Sequence, residues 1–168
     1  MSSYPVLNLD DDEEKRWKAI QEFGFPHASR GRQVTDFFWK KSVEAFNQGA
    51  FLSSTILAGI TAELAHKTRL REQGIEMRDT KGHPKAWSML IECDEKNENV
   101  RKIAKSIKDT YRNMWIHPDL DEIESYAKMK GGSLWLDATM NFAFASADLE
   151  PLEMTKALLA GLFVEKTK

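Results

Sequence analysis

The stretch YRNMWIHP, at residues 111–118, carries side chains suited to chemistry on a phosphate group. Arg112 is permanently charged, and its planar guanidinium can bind a phosphate through two parallel hydrogen bonds. His117 titrates near neutral pH, so it can act as a general base or acid. Asn113 can orient either of the two. Such a set can cleave RNA without a metal ion, because it can deprotonate a 2′-hydroxyl, stabilise the phosphorane charge and protonate the leaving oxygen.

The spacing of Arg112 and His117 is poor for two side chains that act together on one regular helix. Five positions at about 100° per residue place them roughly 140° apart, whereas helical neighbours are three or four positions apart. Either the two residues are unrelated, or something other than a single helix brings them together. Two structural interpretations stay open: His117 can complement the negative end of a helix dipole, and Arg112 can pair with the acids of residues 119–124.

A line of basic residues leads to Arg112. Arg101, Lys105, Lys108 and Arg112 are separated by four, three and four positions, so on a helix they share one face, roughly 100° from the apolar stripe. Such a line is either an ordinary solvated face or a surface for a phosphate backbone. On the second interpretation Arg101, Lys105 and Lys108 are the candidate RNA-binding residues.

Glu63 completes the candidate catalytic set of Arg112, Asn113, His117 and Glu63. It falls on a mostly apolar helix face, and a buried acid needs a partner, which Arg112 can supply; a helix-surface glutamate is the alternative. Glu63 and His66 also form an ExxH pair, as in di-iron bundles, but those need a second ExxH, and the chain has none. Cys93 is the sole cysteine, so neither an internal disulfide nor a cysteine-based zinc site is expected. We therefore predict no metal and no cofactor.

The elements that position these residues are predicted to be helices throughout. Apolar residues recur at three- and four-residue steps, and no stretch alternates with period two. Asn97 or Asn99 begins the helix that bears Arg112, and Pro118 ends it. The expected fold is all-α: an up-and-down bundle of about four main helices plus short terminal helices. The helical stretches are expected near residues 35–46, 50–71, 97–117, 134–147 and 152–164, with Pro151 in the first turn of the last and a short helix after Pro84.

Two segments are expected along the chain. Residues 1–33 read as a polar N-terminal extension with one short helix, which the acidic run at 10–14 favours at its start. Glycines, Pro26 and the SRGR run at 29–32 then indicate a loop. Residues 34–168 read as one helical domain, interrupted by a loop at 74–84 and an acidic, glycine-bearing loop at 118–133.

Composition excludes some classes of protein. The chain has 168 residues, 30% of them charged, and a net charge of −2, so a strongly basic nucleic-acid binder is not indicated, although a local basic patch is possible. The first residues lack the pattern of a signal peptide. No apolar stretch approaches the roughly 18 residues of a membrane span. With one cysteine, these features favour a reducing, cytoplasmic setting and no membrane association.

The motif Arg112-Asn113, three residues, then His117 resembles the signature of the HEPN superfamily. The segment at 58–64, AGITAEL, resembles the family's second helix, and FNQGAF at 46–51 resembles the turn before it. The resemblance covers roughly residues 35–147. It implies a helical homodimer whose paired motifs meet at the two-fold interface, which would bring Arg112 and His117 together. It also implies a metal-independent ribonuclease, and members that act as toxins commonly have a neutralising protein partner.

Two hypotheses of different classes follow. The first is a HEPN-type endoribonuclease, acting as a toxin or a defence effector. The second is a non-catalytic HEPN-like module that dimerises or binds a partner protein or a nucleotide. The intact Arg-Asn-His triplet favours the first. The net acidity and the acids Asp119, Asp121, Glu122 and Glu124, which would repel a phosphate backbone beside a cleft, favour the second. An unrelated helical bundle is a third possibility.

Overall fold

The structure is a computed structural model that describes residues 9–26, 29–113, 121, 125 and 149–163. The predicted all-α class is confirmed: within these residues the single strand-like pairing is an isolated bridge between Arg78 and Pro84. The short helix expected after Pro84 is present and has three residues. In chain order the α-helices are α1 Asp11–Gln21, α2 Arg30–Asn47, α3 Phe51–Glu72, α4 Trp87–Met89, α5 Glu98–Ile107 and α6 Glu150–Phe163.

Helix α3 lies at the centre of the described fold and packs against α2, α5 and α6. It forms a hairpin with α2 through a tight turn, in which Gly49 adopts a φ of 75° that other residues rarely take. Small residues cover much of the buried surface of α3, which lets the neighbouring helices approach closely. These buried small residues are Ala58, Gly59, Ala62 and Ala65.

Helix α1 begins at the acidic run, as predicted. Asp10 caps it by accepting hydrogen bonds from two backbone N–H groups, and Glu13 bonds back to the backbone of Asp10. Trp17 and Ile20 of this helix are buried in the same apolar core as the later helices, and the ring of Trp17 lies 4.8 Å from that of Phe46. The chain before α2 therefore shares its core with the bundle.

Helix α2 begins inside the run that composition indicates to be a loop, so that local prediction was wrong. Ser29 caps the helix, its hydroxyl accepting from the N–H of Arg32 at 3.3 Å. Arg32 binds Glu72 at the end of α3 with an Nη2–Oε2 distance of 2.8 Å. Gly31 faces Thr68, and a Cβ at this glycine would lie 2.7 Å from the Thr68 hydroxyl. Contacts with α3 therefore stabilise a helical start that local composition disfavours.

The helix that bears the basic line begins as predicted, with Asn97 as its cap, but it does not stay regular. After α5 the chain forms one π-helical turn, Lys108–Arg112, in which the N–H of Asn113 donates to the carbonyl of Lys108, five residues back. The predicted helix is therefore present as far as Asn113, although it is not a regular α-helix at this turn. His117 itself, residues 114–120 and the predicted helix at 134–147 lie outside the described residues.

The last predicted helix is confirmed as α6, with Pro151 in its first turn. Leu152, Leu158 and Leu159 of α6 are almost fully buried against the centre of the bundle. No described helix is both long enough and apolar enough to cross a membrane.

Candidate functional site

Arg112 and Glu63 form an ion pair between the π-helical turn and α3. The Nε of Arg112 donates to Oε2 of Glu63 at 2.8 Å, and the two side chains are 23% and 15% exposed. The pairing expected for a glutamate on an apolar face is thus present. Gly59, one turn earlier on α3, lies against the backbone of Arg112, where an added Cβ would be 3.2 Å from the Arg112 Cα. The glycine therefore lets the turn that carries Arg112 lie directly on α3.

The second oxygen of Glu63 has a partner of its own. Lys67, one turn further along α3, donates to Oε1 at 2.5 Å and is 32% exposed. One carboxylate thus sits between two cations, and the group of three carries a net charge of +1.

The terminal nitrogens of Arg112 are largely unused within the described part of the chain. Nη1 makes one long contact, 3.5 Å, with the side-chain oxygen of Asn113, and no described residue accepts from Nη2. Glu63 therefore fixes the guanidinium through Nε and leaves its far edge able to bind an anion. A fixed guanidinium loses less conformational entropy when it binds a phosphate.

The rest of the predicted basic line is mostly engaged within the protein. The guanidinium of Arg101 donates to the backbone carbonyl of Glu95, through Nε at 3.1 Å and also through Nη2. Lys108 pairs with Asp109 at 2.8 Å and is only 15% exposed. Lys105 is exposed, and the structure gives it no ion pair among the described residues. The predicted RNA contact of Arg101, Lys105 and Lys108 stays a prediction.

A buried polar network lies on another face of α3. His66 is fully buried, and its Nε2 lies 2.6 Å from Oε2 of Glu95, in the turn before α5. The indole N–H of Trp87, on α4, donates to Nδ1 of His66 at 3.0 Å. The other oxygen of Glu95 accepts from the backbone N–H of Asn97 at 2.7 Å. The network therefore joins α3, α4 and the start of α5.

The network defines the tautomer of His66. An indole N–H can only donate, so Nδ1 must be the bare, accepting nitrogen, and Nε2 carries the proton that it donates to Glu95. Burial lowers the pKa of His66, and the hydrogen bond to Glu95 only partly opposes this effect. The imidazole is therefore held neutral, and its lack of solvent exposure gives it a structural role.

The ExxH pair of Glu63 and His66 does not converge on one point. Glu63 faces Arg112 and Lys67, whereas His66 faces Glu95 and Trp87. Within the described residues, no group of three or more His, Cys, Asp or Glu side chains is arranged to hold a metal ion. The expectation of no metal and no cofactor stays a prediction.

Sequence reasoning missed the pairing of His66 with Glu95. The three-residue offset from Glu63 suggested a shared face, yet one helical turn is enough to separate the partners of the two side chains. The signal in the sequence was the position of His66 next to Ala65 and one turn after Ala62, small residues that allow a close helix contact; the structure buries both alanines fully. A histidine on such a face needs polar partners, but the partner lies 29 residues away in the chain.

Comparisons of the chain with protein-family models, with curated proteins and with solved structures gave no significant match. The case for a function therefore depends on the geometry of the residues themselves.

Proposed function

We propose that the chain is a metal-independent endoribonuclease of the HEPN type, working in the cytoplasm as a toxin or defence effector. It cleaves single-stranded RNA at a composite site, where Arg112 and His117 of two copies meet across a homodimer interface. The observation that carries the proposal is the arrangement around Arg112. Its Nε is held by Glu63 at 2.8 Å, and the far edge of its guanidinium remains able to bind a phosphate.

The chemistry follows from the residue types. His117 takes the proton of the 2′-hydroxyl and returns a proton to the leaving 5′-oxygen. Arg112 stabilises the negative charge that develops on the phosphorane. Asn113, within 3.5 Å of Arg112, helps to orient the guanidinium. Because attack comes from the 2′-hydroxyl, the products are a 2′,3′-cyclic phosphate and a free 5′-hydroxyl.

The second candidate function is a non-catalytic HEPN-like module that dimerises or binds a partner protein or a nucleotide. The engagement of the basic line favours it, since Arg101 and Lys108 bind groups of the protein itself. In such a module, the pair of Arg112 and Glu63 would join α3 to the π-helical turn and have no part in catalysis.

Analysis of the cleavage products of single-stranded RNA in EDTA tests the first proposal against the second. We expect 2′,3′-cyclic phosphate ends, and we expect Arg112→Ala to lower the rate by a factor of roughly 10² to 10³, as when one charge-stabilising donor is removed. Arg112→Lys should recover little of the lost rate, because a point charge cannot reproduce the planar fork. The matched control is Arg16→Ala, which removes an exposed arginine that pairs with Glu153. A protein that cleaves no RNA while remaining folded and dimeric would favour the binding module.

A further inference from the structure

We infer that Lys67 is a second phosphate-binding residue, whose ammonium group binds the same nucleic-acid backbone as Arg112. The inference deepens the proposed function and depends on it for the identity of the ligand. Lys67 belongs to no recognised motif of the sequence. It enters the site only because the folded chain places it beside Glu63, at 2.5 Å.

The charges around Glu63 favour this role for Lys67. An acid followed four residues later by a lysine is a common helix pair and needs no function to explain it. Here, however, Arg112 already neutralises the carboxylate of Glu63, at 2.8 Å. Lys67 is therefore a surplus cation. An anion that binds beside Arg112 would restore local neutrality.

The partial burial of Lys67 also favours this role. The side chain of Lys67 is 32% exposed. Lys40 on α2, which likewise lies four residues after its acidic partner, Asp36, is 71% exposed. Covering an ammonium group costs free energy unless a counter-charge is close. Two other well-covered lysines each have such a counter-charge: Lys85 pairs with Asp94 and Lys108 with Asp109. Lys67, by contrast, shares the single carboxylate of Glu63 with Arg112.

The positions of the two cations around Glu63 are compatible with a shared ligand. Lys67 and Arg112 bind opposite oxygens of one carboxylate, so their charged groups lie within the span of that carboxylate and its two hydrogen bonds. The ammonium has three N–H donors, and Glu63 uses one of them. Two donors of the ammonium therefore remain for the oxygens of a phosphate.

The test is the binding of a fluorescein-labelled single-stranded DNA oligonucleotide, which lacks the 2′-hydroxyl and cannot be cleaved by the proposed route. Lys67→Met retains the aliphatic stem without the charge, and Lys40→Met is the matched control on α2. We expect Lys67→Met to weaken binding about tenfold at low salt, the lower end for a hydrogen bond to a charged group. The slope of log K against log salt should become shallower by about 0.7, as for one lost contact with a single strand. Lys67→Arg should bind within a few-fold of the parent.

The outcomes separate this inference from the proposed function. If Lys67→Met and Lys40→Met bind the oligonucleotide equally well, or if the parent does not bind it, the inference is wrong, whatever the ribonuclease assay shows. If Lys67→Met binds more weakly but the parent cleaves no RNA, the phosphate site stands and the nuclease proposal fails. Thermal unfolding of each variant establishes that it is folded before binding is compared.

Discussion

The ion pair between Arg112 and Glu63 should couple α3 to the π-helical turn by a measurable free energy. Exposed pairs contribute about 0.2–1 kcal/mol, whereas removing one member of a buried pair costs about 3–5 kcal/mol, much of it the cost of the charge left behind. The two side chains are 23% and 15% exposed, which is an intermediate case. Because Lys67 shares the carboxylate, part of that charge stays compensated when Arg112 is removed. We therefore expect a coupling energy of about 1–2 kcal/mol.

A double-mutant cycle measures this energy directly. The cycle compares the parent, Glu63→Ala, Arg112→Ala and the double variant by urea unfolding, at one protein concentration, because self-association would otherwise shift the apparent stability. The matched control is the cycle on Arg16 and Glu153, another long-range pair at 3.0 Å, with side chains 46% and 32% exposed. Its coupling energy should stay below about 1 kcal/mol.

A coupling energy between Glu63 and Arg112 no larger than that of the control pair would contradict this prediction. Glu63 would then not fix the guanidinium, and the proposed phosphate binding by Arg112 would lose its support. A coupling above the control, with the m-value of unfolding unchanged, would show that the two side chains interact in the folded state.

Two further predictions concern His66 and Gly59. Burial lowers the pKa of His66 below the unfolded value of about 6.5, so its contribution to stability is fully present above that pH and is lost as pH falls towards the folded pKa. Between these two pKa values the free energy of unfolding should fall by up to about 1.4 kcal/mol for each unit by which the pH is lowered. The His66→Gln variant lacks the titrating group, so its free energy of unfolding, measured with urea, should depend less on pH. Gly59→Ala should cost about 1–2 kcal/mol, because its Cβ would lie 3.1 Å from the Cβ and 3.2 Å from the backbone Cα of Arg112, and this overpacking exceeds the roughly 1 kcal/mol that alanine gains over glycine inside a helix. Gly161→Ala, whose Cβ would make an ordinary 3.7 Å contact, should be neutral or stabilising in the same thermal unfolding assay.

Local sequence signals predicted most of the described helices because the signals and the packing agree. Asn97 accepts hydrogen bonds from the first N–H groups of α5, and Pro151 occupies the first turn of α6, as their residue types favour. The start of α2 escaped prediction because its stability depends in part on a distant partner, Glu72, in addition to the local cap by Ser29. Composition near Ser29 gives no information about that partner.

The candidate site was predictable only in part. The need of Glu63 for a partner, and the availability of Arg112, could be inferred from residue type and helix face. The π-helical turn at 108–112 could not, because the four-residue step from Ile107 to Tyr111, both buried, is one that a regular α-helix also produces. The proposed role of Lys67 depends on a count of charges around one carboxylate, which requires the folded contacts.

The most direct test of the central claim is the rate of single-stranded RNA cleavage in EDTA by the parent protein and by His117→Ala. The account predicts metal-independent cleavage by the parent and a rate lower by a factor of roughly 10² to 10⁴ for the variant, because proton transfer is lost. Both proteins must be folded and of the same oligomeric state when they are compared. A His117→Ala variant that cleaves as fast as the parent would contradict the account.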